Sequence, residues 1–323
     1  MRSTGDANPL FLNAAAMAAM PLDAAKFINA IEQTFLMAAT GKAVSTPKLG
    51  LHPDRGGLFH AMPAAIPGLA MVKWLTIGAQ ANGAIEATII ASDPESGKTI
   101  AVMDGNRITD LRTAAVSALA IKYLKTPTPG STLGIVGCGR QAYAHIDLLR
   151  VVAPWIDKLI LWSPRETSIA ALTRYAEPDF VSIRRASSPQ DLVESSDIVL
   201  SSTSYTSNSR RLLQAHWLKK SSLVLAVDLK SSWCFENEAC FDLKVTDDRE
   251  HSAQMIRSNI LPNIGTFDTD LIQLIAAGKS LAPSAPGRVL FMPPGVSIAD
   301  AGAVSYFLGL TATATTSDEE IDH

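Results

Sequence analysis

The stretch TLGIVGCGRQAYAHIDLLR, residues 132–150, decides the fold class of this chain. Residues 133–136 form a short apolar run that predicts a buried parallel strand, and the residues after the glycines have the pattern of a helix. Between them lies a Gly-x-Gly-x-x-Ala turn. Gly137 permits a sharp bend, Gly139 leaves room for a pyrophosphate, and Ala142 allows close helix packing. Because the helix then begins with free N–H groups, the stretch predicts a dinucleotide-binding turn rather than an ordinary βα turn.

Strands and helices alternate after this turn, which is typical of a doubly wound parallel sheet. The predicted strands cover residues 158–162, 181–184, 198–201, 223–227, 243–245 and 288–291, and the predicted helices lie near residues 167–175, 189–194, 213–218, 268–278 and 297–311. Ligands bind at the carboxyl ends of the strands in such sheets. Ser202 and Thr203 follow one strand and Asp228 follows another. Asp228 is therefore either a cap or loop residue or a proton-transfer group in the crevice.

The first 105 residues have a different pattern. A helix capped by Asp23 is followed, over residues 43–105, by segments with the period of two that indicates strands. This part predicts an α+β unit. Residues 109–124 then predict a helix, capped by Thr109 or Asp110, with Arg112 in its first turn and small residues beside it. Two interpretations stay open: a surface arginine on a closely packed helix, or an arginine that binds an anion together with the helix N-terminus.

Length and composition favour a two-domain globular protein. The chain has 323 residues, a length that exceeds the usual size of one hydrophobic core. Its residues are 47% hydrophobic and 18% charged, as in globular proteins. The net charge of −3 gives no electrostatic reason to expect nucleic acid or an anionic membrane, and no apolar run reaches the length of a membrane span. Cys138, Cys234 and Cys240 form neither a metal-ligand spacing nor an even disulfide framework. We therefore expect no metal site and a location in the reducing cytoplasm.

The end of the second predicted strand bears on the choice of cofactor. NAD-specific sites carry an acidic residue there, which accepts hydrogen bonds from the ribose hydroxyls. This chain has Ser163 and Arg165 instead, and its first carboxylate comes only at Glu166. A missing acid beside a basic residue favours a 2′-phosphate, so we expect NADP(H) to be preferred, with NAD(H) possible.

Motifs spread along nearly the whole chain carry a specific resemblance. They are Met62-Pro63-Ala64, Met71-Val72-Lys73-Trp74, Ala101-Val102-Met103-Asp104-Gly105, Arg112-Thr113-Ala114-Ala115, Gly137-x-Gly139-x-Gln141-Ala142, Gly295 and Asp300. Together they are similar to the ornithine cyclodeaminase/mu-crystallin family. The resemblance implies a Rossmann-type NAD(P)-binding domain, placed at residues 119–295, and a substrate-binding and dimerisation domain formed by residues 1–118 and 296–323. It also implies a homodimer that acts on a small amino or imino acid.

The resemblance implies roles for individual residues. Lys73 is similar to the family's active-site lysine near the substrate carboxylate and the reacting nitrogen, and Arg112 to the arginine that binds the carboxylate. Lys48 stands where the family often has a second arginine, and a lysine keeps the charge without the bidentate geometry. The family's catalytic aspartate falls on Lys230, or on Asp228 if a small gap is allowed, so Asp228 joins Lys73 as a catalytic candidate. The residues expected to bind the cofactor are Arg112, Thr113, Gly137, Gly139, Arg140, Gln141, Ser163, Arg165, Ser202 and Thr203.

Three functions are compatible with these residues. The first is an NAD(P)H-dependent reductase of cyclic or linear α-imino acids, such as pyrroline- or piperideine-2-carboxylate. Arg112 with Lys48 or Lys73 would hold the carboxylate, and Lys73 or Asp228 would assist protonation of the nitrogen. The second is an ornithine or lysine cyclodeaminase that uses bound NAD catalytically and releases ammonia. The third is non-enzymatic, NADPH-dependent binding of a small molecule, as in mu-crystallin. The apolar neighbours of Lys73 favour a buried functional amine over a solvated strand lysine.

Overall fold

The computed structural model describes residues 8–51, 53–54, 56–80, 84–203, 211–229, 231–234, 240–258, 261, 265–278, 281 and 287–310. In chain order its elements are β1 (Leu10–Leu12), α1 (Ala14–Ala19), α2 (Ala24–Ala39), β2 (Val44–Ser45), β3 (Leu49–Leu51), β4 (Leu58–Ile66), β5 (Leu69–Ile77), β6 (Glu86–Ser92), β7 (Thr99–Asp104), α3 (Asn106–Leu124), β8 (Ser131–Val136), α4 (Arg140–Val152), β9 (Ile156–Trp162), α5 (Glu166–Ala176), β10 (Ser182–Arg185), α6 (Pro189–Ser195), β11 (Ile198–Ser201), β12 (Leu213–Gln214), a 3₁₀ helix (Ala215–Trp217), β13 (Leu223–Ala226), β14 (Trp233–Cys234), β15 (Leu243–Thr246), α7 (Arg249–Arg257), β16 (Thr269–Asp270), α8 (Leu271–Ala277), β17 (Val289–Phe291) and α9 (Ser297–Leu308). Within these residues, no helix combines the length and the apolar composition that crossing a bilayer requires.

The first sheet is built from the N-terminal strands. Its order is β1-β7-β6-β5-β4-β2, with β3 also paired to β4. β1 runs parallel to β7, and the other pairs are antiparallel. Along β4 and β5 buried positions alternate with more exposed ones, because one face of the sheet packs against α9 while the other face is open. The α+β unit expected from the period of two is confirmed.

The second sheet is parallel throughout the described residues. Its order is β10-β9-β8-β11-β13-β17-β15-β16. β8, which leads into the glycine turn, lies between β9 and β11, and all six of its residues are buried. The strand order reverses beside β8, and this switch point is where doubly wound sheets bind their ligands. The predicted Rossmann-type fold class is confirmed.

Helix α3 joins the two units. Its small residues Ala114, Ala115 and Ala118 have no exposed surface, and they let α2, α4 and α9 pack closely around it. The buried side chain of His145 on α4 lies 2.9 Å, Nε2 to Oγ, from Ser117 of α3. The predicted domain boundary between residues 118 and 119 falls inside this helix, so the division of the chain into two domains stays a prediction.

The same helix begins earlier than predicted. It starts at Asn106, whose N–H donates to Asp104 Oδ1 at 3.1 Å, and Gly105 is the N-cap residue. Thr109 is not a cap, because its hydroxyl donates back to the Gly105 carbonyl at 2.7 Å, as it does inside a helix. Arg112 therefore lies in the second turn. Its interpretation as a surface arginine is also wrong, since only 6% of the residue is exposed.

Two further helices differ from the sequence prediction. The predicted helix near residues 213–218 is instead β12 followed by a 3₁₀ helix, because the Leu213 N–H donates to the Ser232 carbonyl at 2.9 Å and β12 pairs with β14. Helix α7 was not predicted. It buries only Ser252 and Met255, so its apolar periodicity is weak.

Candidate active site

The Lys73 amine is the centre of a buried charged cluster. Lys73 lies on β5, on the face that packs against α9, and it has no exposed surface. Its Nζ donates to Asp300 Oδ1 of α9 at 2.7 Å, and Asp300 is also completely buried. A buried lysine is costly unless it is paired, so the ion pair accounts for the inward orientation that the apolar neighbours predicted.

Arg112 is the second cation of the cluster. Its Nε lies 3.1 Å from Asp300 Oδ1, so Lys73 and Arg112 share one carboxylate oxygen. Arg112 Nε and Asp300 Oδ2 are buried without hydrogen-bond partners among the described residues. Gly295 lies against the guanidinium: a Cβ at this position, where φ is +91°, would stand 2.7 Å from Arg112 Nη1. Buried polar atoms without hydrogen-bond partners require an explanation, and a ligand bound beside them would provide one.

Lys48 is the third cation, and it approaches from the segment before β3. It donates a hydrogen bond to the Pro294 carbonyl. Pro294 immediately precedes the Gly295 that lies against Arg112, so the structure brings together the three residues predicted to bind substrate.

Burial and mutual repulsion weaken the proton affinity of both amines. Burial lowers the pKa of Lys73 from 10.5 to about 7, although the adjacent Asp300 acts in the opposite direction. Burial, followed by the positive charge of Arg112, lowers the pKa of Lys48 to about 8. At neutral pH the Lys73 amine is therefore able either to give or to take a proton.

Asp300 was missing from the predicted site residues, although it stood among the motifs of the family resemblance. The available signal was its setting, because it is the one charged residue of α9, SIADAGAVSYFL. A carboxylate within a helix whose residues are otherwise small or apolar requires a buried partner.

The glycine turn after β8 fits a dinucleotide. Gly137 has φ +98°, and a Cβ there would lie 2.7 Å from the Ser202 carbonyl oxygen. The space around a Cβ on Gly139 is open, and α4 begins at Arg140 without a side-chain cap. The Ser202 hydroxyl donates to the Gly137 carbonyl at 3.0 Å and fixes the turn. A helix N-terminus that no side chain caps and the open space beside it are what a pyrophosphate requires.

Three of the predicted cofactor residues contact residues of helix α3 instead. Arg140 Nε lies 2.9 Å from Asp110 Oδ2, and Gln141 Nε2 donates to Asp110 Oδ1 at 3.0 Å, so both tie α4 to α3. The Thr113 hydroxyl donates to the Thr109 carbonyl at 2.7 Å. Their contact with a cofactor stays a prediction.

Ser163 and Arg165 lie at the end of β9, where the ribose of a dinucleotide would bind. The Arg165 N–H donates to Ser163 Oγ at 3.3 Å, which shapes the turn before α5. The Arg165 guanidinium has no partner among the described residues. It is therefore available to an anion.

Asp228 is enclosed by hydroxyl groups. It accepts hydrogen bonds from Ser201 at 2.9 Å, Thr203 at 2.9 Å and Ser232 at 2.6 Å. None of its described hydrogen bonds reaches the Lys73 cluster. Its catalytic role stays a prediction, and Lys230 lies outside the described residues.

The sequence matches the family model described as "Ornithine cyclodeaminase/mu-crystallin family" over residues 10–232. The chain belongs to this family. Alanine dehydrogenase from Archaeoglobus fulgidus is 31% identical over 204 residues, which are 62% of this chain and 61% of that protein. Ketimine reductase mu-crystallin from Macropus fuliginosus is 32% identical over 142 residues, 44% of this chain and 43% of that protein. A solved archaeal alanine dehydrogenase dimer with bound NAD has a TM-score of 0.78 at 24% identity and covers 94% of this chain and 95% of its own.

The aligned regions cover different fractions of the length of each relative. The aligned regions span about three fifths of the Archaeoglobus enzyme and less than half of the mu-crystallin. The solved dimer, at 24% identity, shows the fold alone. Membership of the family and the Rossmann-type fold are thus established, and the reaction has to be argued from the site.

Proposed function

We propose that this protein is an NAD(P)H-dependent reductase of α-imino acids, cyclic or linear. The observation that carries the proposal is the buried Arg112 guanidinium, whose Nε lies 3.1 Å from the same Asp300 oxygen that the Lys73 amine contacts, so that two buried cations share one carboxylate oxygen. A guanidinium presents paired donors that match a carboxylate. Because Lys73 and Arg112 share one carboxylate oxygen and Lys48 lies nearby, a bound carboxylate would balance the excess positive charge.

Each residue of the cluster has a step in the proposed reaction. Arg112 and Lys48 hold the substrate carboxylate, which orients the adjacent C=N group. The reduced nicotinamide would supply the hydride that adds to the imine carbon. The protonated amine of Lys73 donates a proton to the imine nitrogen, so that C=N becomes CH–NH. Asp300 holds this amine at 2.7 Å and favours its protonated form.

Asp228 is the weaker candidate for the proton donor. Its two oxygens already accept three hydrogen bonds from hydroxyl groups, and none of these groups belongs to the Lys73 cluster. We therefore assign proton transfer to Lys73.

The named relatives are consistent with chemistry at a carbon–nitrogen bond. An alanine dehydrogenase and a ketimine reductase are each more than 30% identical to this chain over the aligned regions. Cyclodeamination and ligand binding without catalysis are the alternatives that an assay has to separate.

The test is an assay of the purified protein with NADPH or NADH and pyrroline-2-carboxylate, piperideine-2-carboxylate or the imine formed from pyruvate and ammonia. We expect the reduced-nicotinamide absorbance to fall in step with the imino acid. Ammonia release from ornithine or lysine with NAD, without net cofactor change, would identify a cyclodeaminase instead. Titration with NADPH but no turnover of any of these substrates would favour a binding protein.

For the cofactor we propose NADP(H) over NAD(H). The support is the Arg165 guanidinium after β9, which has no partner within the described part of the chain, together with the serine that stands at position 163 in place of an acidic residue. An acid there would repel a 2′-phosphate, whereas an arginine binds it.

Replacing Arg165 by alanine is therefore expected to weaken NADPH binding much more than NADH binding. A charge-assisted hydrogen bond contributes about 1.5–3 kcal/mol, which corresponds to about a 10- to 150-fold rise in the Kd of NADPH, with NADH changed less than about twofold. Arg174→Ala on the same helix is the matched control, because Arg174 is exposed in the last turn of α5. Fluorescence titration measures both constants. Equal weakening of the two cofactors would contradict the assignment.

We also propose a homodimer that forms through the open face of the first sheet. The strand register places six exposed apolar side chains of this sheet on this one face, opposite α9. They are Phe11, Val44, Leu49, Leu51, Trp74 and Ile90, and they are 40–74% exposed. Continuous apolar faces of this kind are typical of subunit interfaces.

Trp74→Glu is expected to halve the molar mass measured by light scattering, because it places a charge in the middle of this apolar face. Val181→Glu is the control, since Val181 is 82% exposed and lies immediately before β10, a strand of the second sheet. A Trp74→Glu protein that keeps the mass of the wild type would rule out this face as the interface.

A further inference from the structure

The turn between β17 and α9 connects the two sheets through the active site. Residues 292–296 are all buried, and they lead from the Rossmann sheet to the helix that carries Asp300. Within this turn the Pro294 carbonyl accepts a hydrogen bond from Lys48, and Gly295 lies against the Arg112 guanidinium. The position of the turn therefore sets the position of two of the three cations.

The turn is held by one carboxylate, Asp247, which follows β15. Asp247 has no exposed surface. Its Oδ2 accepts hydrogen bonds from the N–H groups of Gly295 at 2.8 Å and Val296 at 3.0 Å. Its Oδ1 accepts from the Asp248 N–H at 3.0 Å and the Thr246 hydroxyl at 3.2 Å, so the carboxylate is itself fixed to its own strand.

We propose that Asp247 is a positioning residue for substrate carboxylate binding, acting on Lys48 and Arg112 through the backbone of Gly295 and Val296. No hydrogen bond or ion pair joins Asp247 directly to either cation among the described residues. The inference rests on the proposed function, since it concerns the same carboxylate site.

Electrostatics alone and a positioning role predict opposite effects of removing Asp247 on the binding of a carboxylate. An ionised Asp247 near Lys48 and Arg112 repels a bound anion, so its removal would tighten carboxylate binding if charge alone mattered. If Asp247 positions the turn, its removal leaves two buried N–H groups without their acceptor, displaces the turn and weakens carboxylate binding. The sign of the change distinguishes the two roles.

The experiment is calorimetric titration of the NADPH-loaded protein with pyrrole-2-carboxylate, a planar carboxylate that is not reduced. For Asp247→Ala we expect binding at least about tenfold weaker, with the Kd of NADPH changed less than about threefold. For Asp247→Asn we expect a smaller loss, because its amide oxygen is able to accept from Gly295 and Val296. This partial rescue is a result that charge alone would not give.

Asp242→Ala is the matched control. Asp242 precedes the same strand, and its Oδ2 accepts the Arg288 N–H at 2.9 Å at the end remote from the turn, so this variant should bind pyrrole-2-carboxylate as the wild type does. Unchanged or tighter binding by Asp247→Ala, in a wild type that binds the probe, would overturn the positioning role alone. A wild-type protein that neither binds pyrrole-2-carboxylate nor reduces any imino acid would overturn the proposed function and this inference with it. If Asp247→Ala does not fold, Asp247→Asn decides: an affinity at or below that of the wild type fits an amide oxygen that keeps the turn in place, whereas tighter binding is what loss of the charge alone would give and contradicts positioning.

Discussion

Lys73→Met is expected to lower kcat/KM for imino-acid reduction by about 10²- to 10⁴-fold, the range that a positioned general acid contributes. Methionine keeps most of the volume of the side chain and removes only the amine that Asp300 holds at 2.7 Å. Binding of NADPH should be unaffected, because the amine lies in the cluster on β5 and not at the glycine turn. Steady-state kinetics measure kcat/KM for the imino acid, and a titration of the same preparation measures the Kd of NADPH.

The control for this variant is Lys158→Met, a strand lysine on β9 whose side chain is exposed. It should retain wild-type kinetics. Breaking one side of a buried ion pair costs about 3–5 kcal/mol, so Lys73→Met is also expected to be less stable. If it does not fold, Lys73→Met with Asp300→Asn removes the unpaired charge and should still be inactive. Near-wild-type turnover in either protein would show that Lys73 is not the proton donor.

The same amine sets the expected pH dependence. Because the pKa of Lys73 is lowered to about 7, the protonated form that donates to the imine nitrogen decreases above that pH. We expect kcat/KM in the reductive direction to be highest below pH 7 and to decline about tenfold per pH unit well above it. A profile that stays flat to pH 9 would be incompatible with a lysine of lowered pKa as the acid.

Those features that depend on neighbouring residues were predictable from the sequence. The strand, the glycine turn and the helix of residues 132–150 follow each other directly, so hydrophobic pattern and glycine spacing were sufficient to place Gly137 and Gly139. The burial of Lys73 was predicted for the same reason, from its neighbours on the strand. The Rossmann-type fold class follows from the alternation of strands and helices.

The set of residues that forms the site was harder to predict from the sequence, because these residues are distant along the chain. Lys73 and Asp300 are separated by 227 positions, and Gly295 meets Asp247 across 48. No local pattern shows which distant carboxylate a buried lysine pairs with. The start of α3 was misplaced for a related reason, since Thr109 bonds back to Gly105 inside the helix although its side chain is also a common cap.

Replacing Arg112 by lysine is expected to raise the KM for the imino acid by about 10- to 100-fold with a smaller effect on kcat. Lysine keeps the positive charge near Asp300, but it lacks the planar fork that binds a carboxylate through two donors, and a charge-assisted hydrogen bond contributes about 1.5–3 kcal/mol. Arg112→Met removes the charge as well and should raise KM further, since truncating one partner of a buried charge pair costs about 2–5 kcal/mol.

Arg107→Lys on the same helix provides the matched control for Arg112. Arg107 donates to backbone carbonyls of Met17 and Met20, so its replacement disturbs packing of α1 without touching the cluster. It should lower the melting temperature and leave KM within about twofold.

Arg112 was also expected to contact the cofactor, and one titration experiment separates this role from carboxylate binding. If Arg112→Lys weakens NADPH and pyrrole-2-carboxylate equally, the guanidinium belongs to the cofactor site. If it weakens only pyrrole-2-carboxylate, the carboxylate assignment holds, and with it the orientation that brings the imine nitrogen to Lys73.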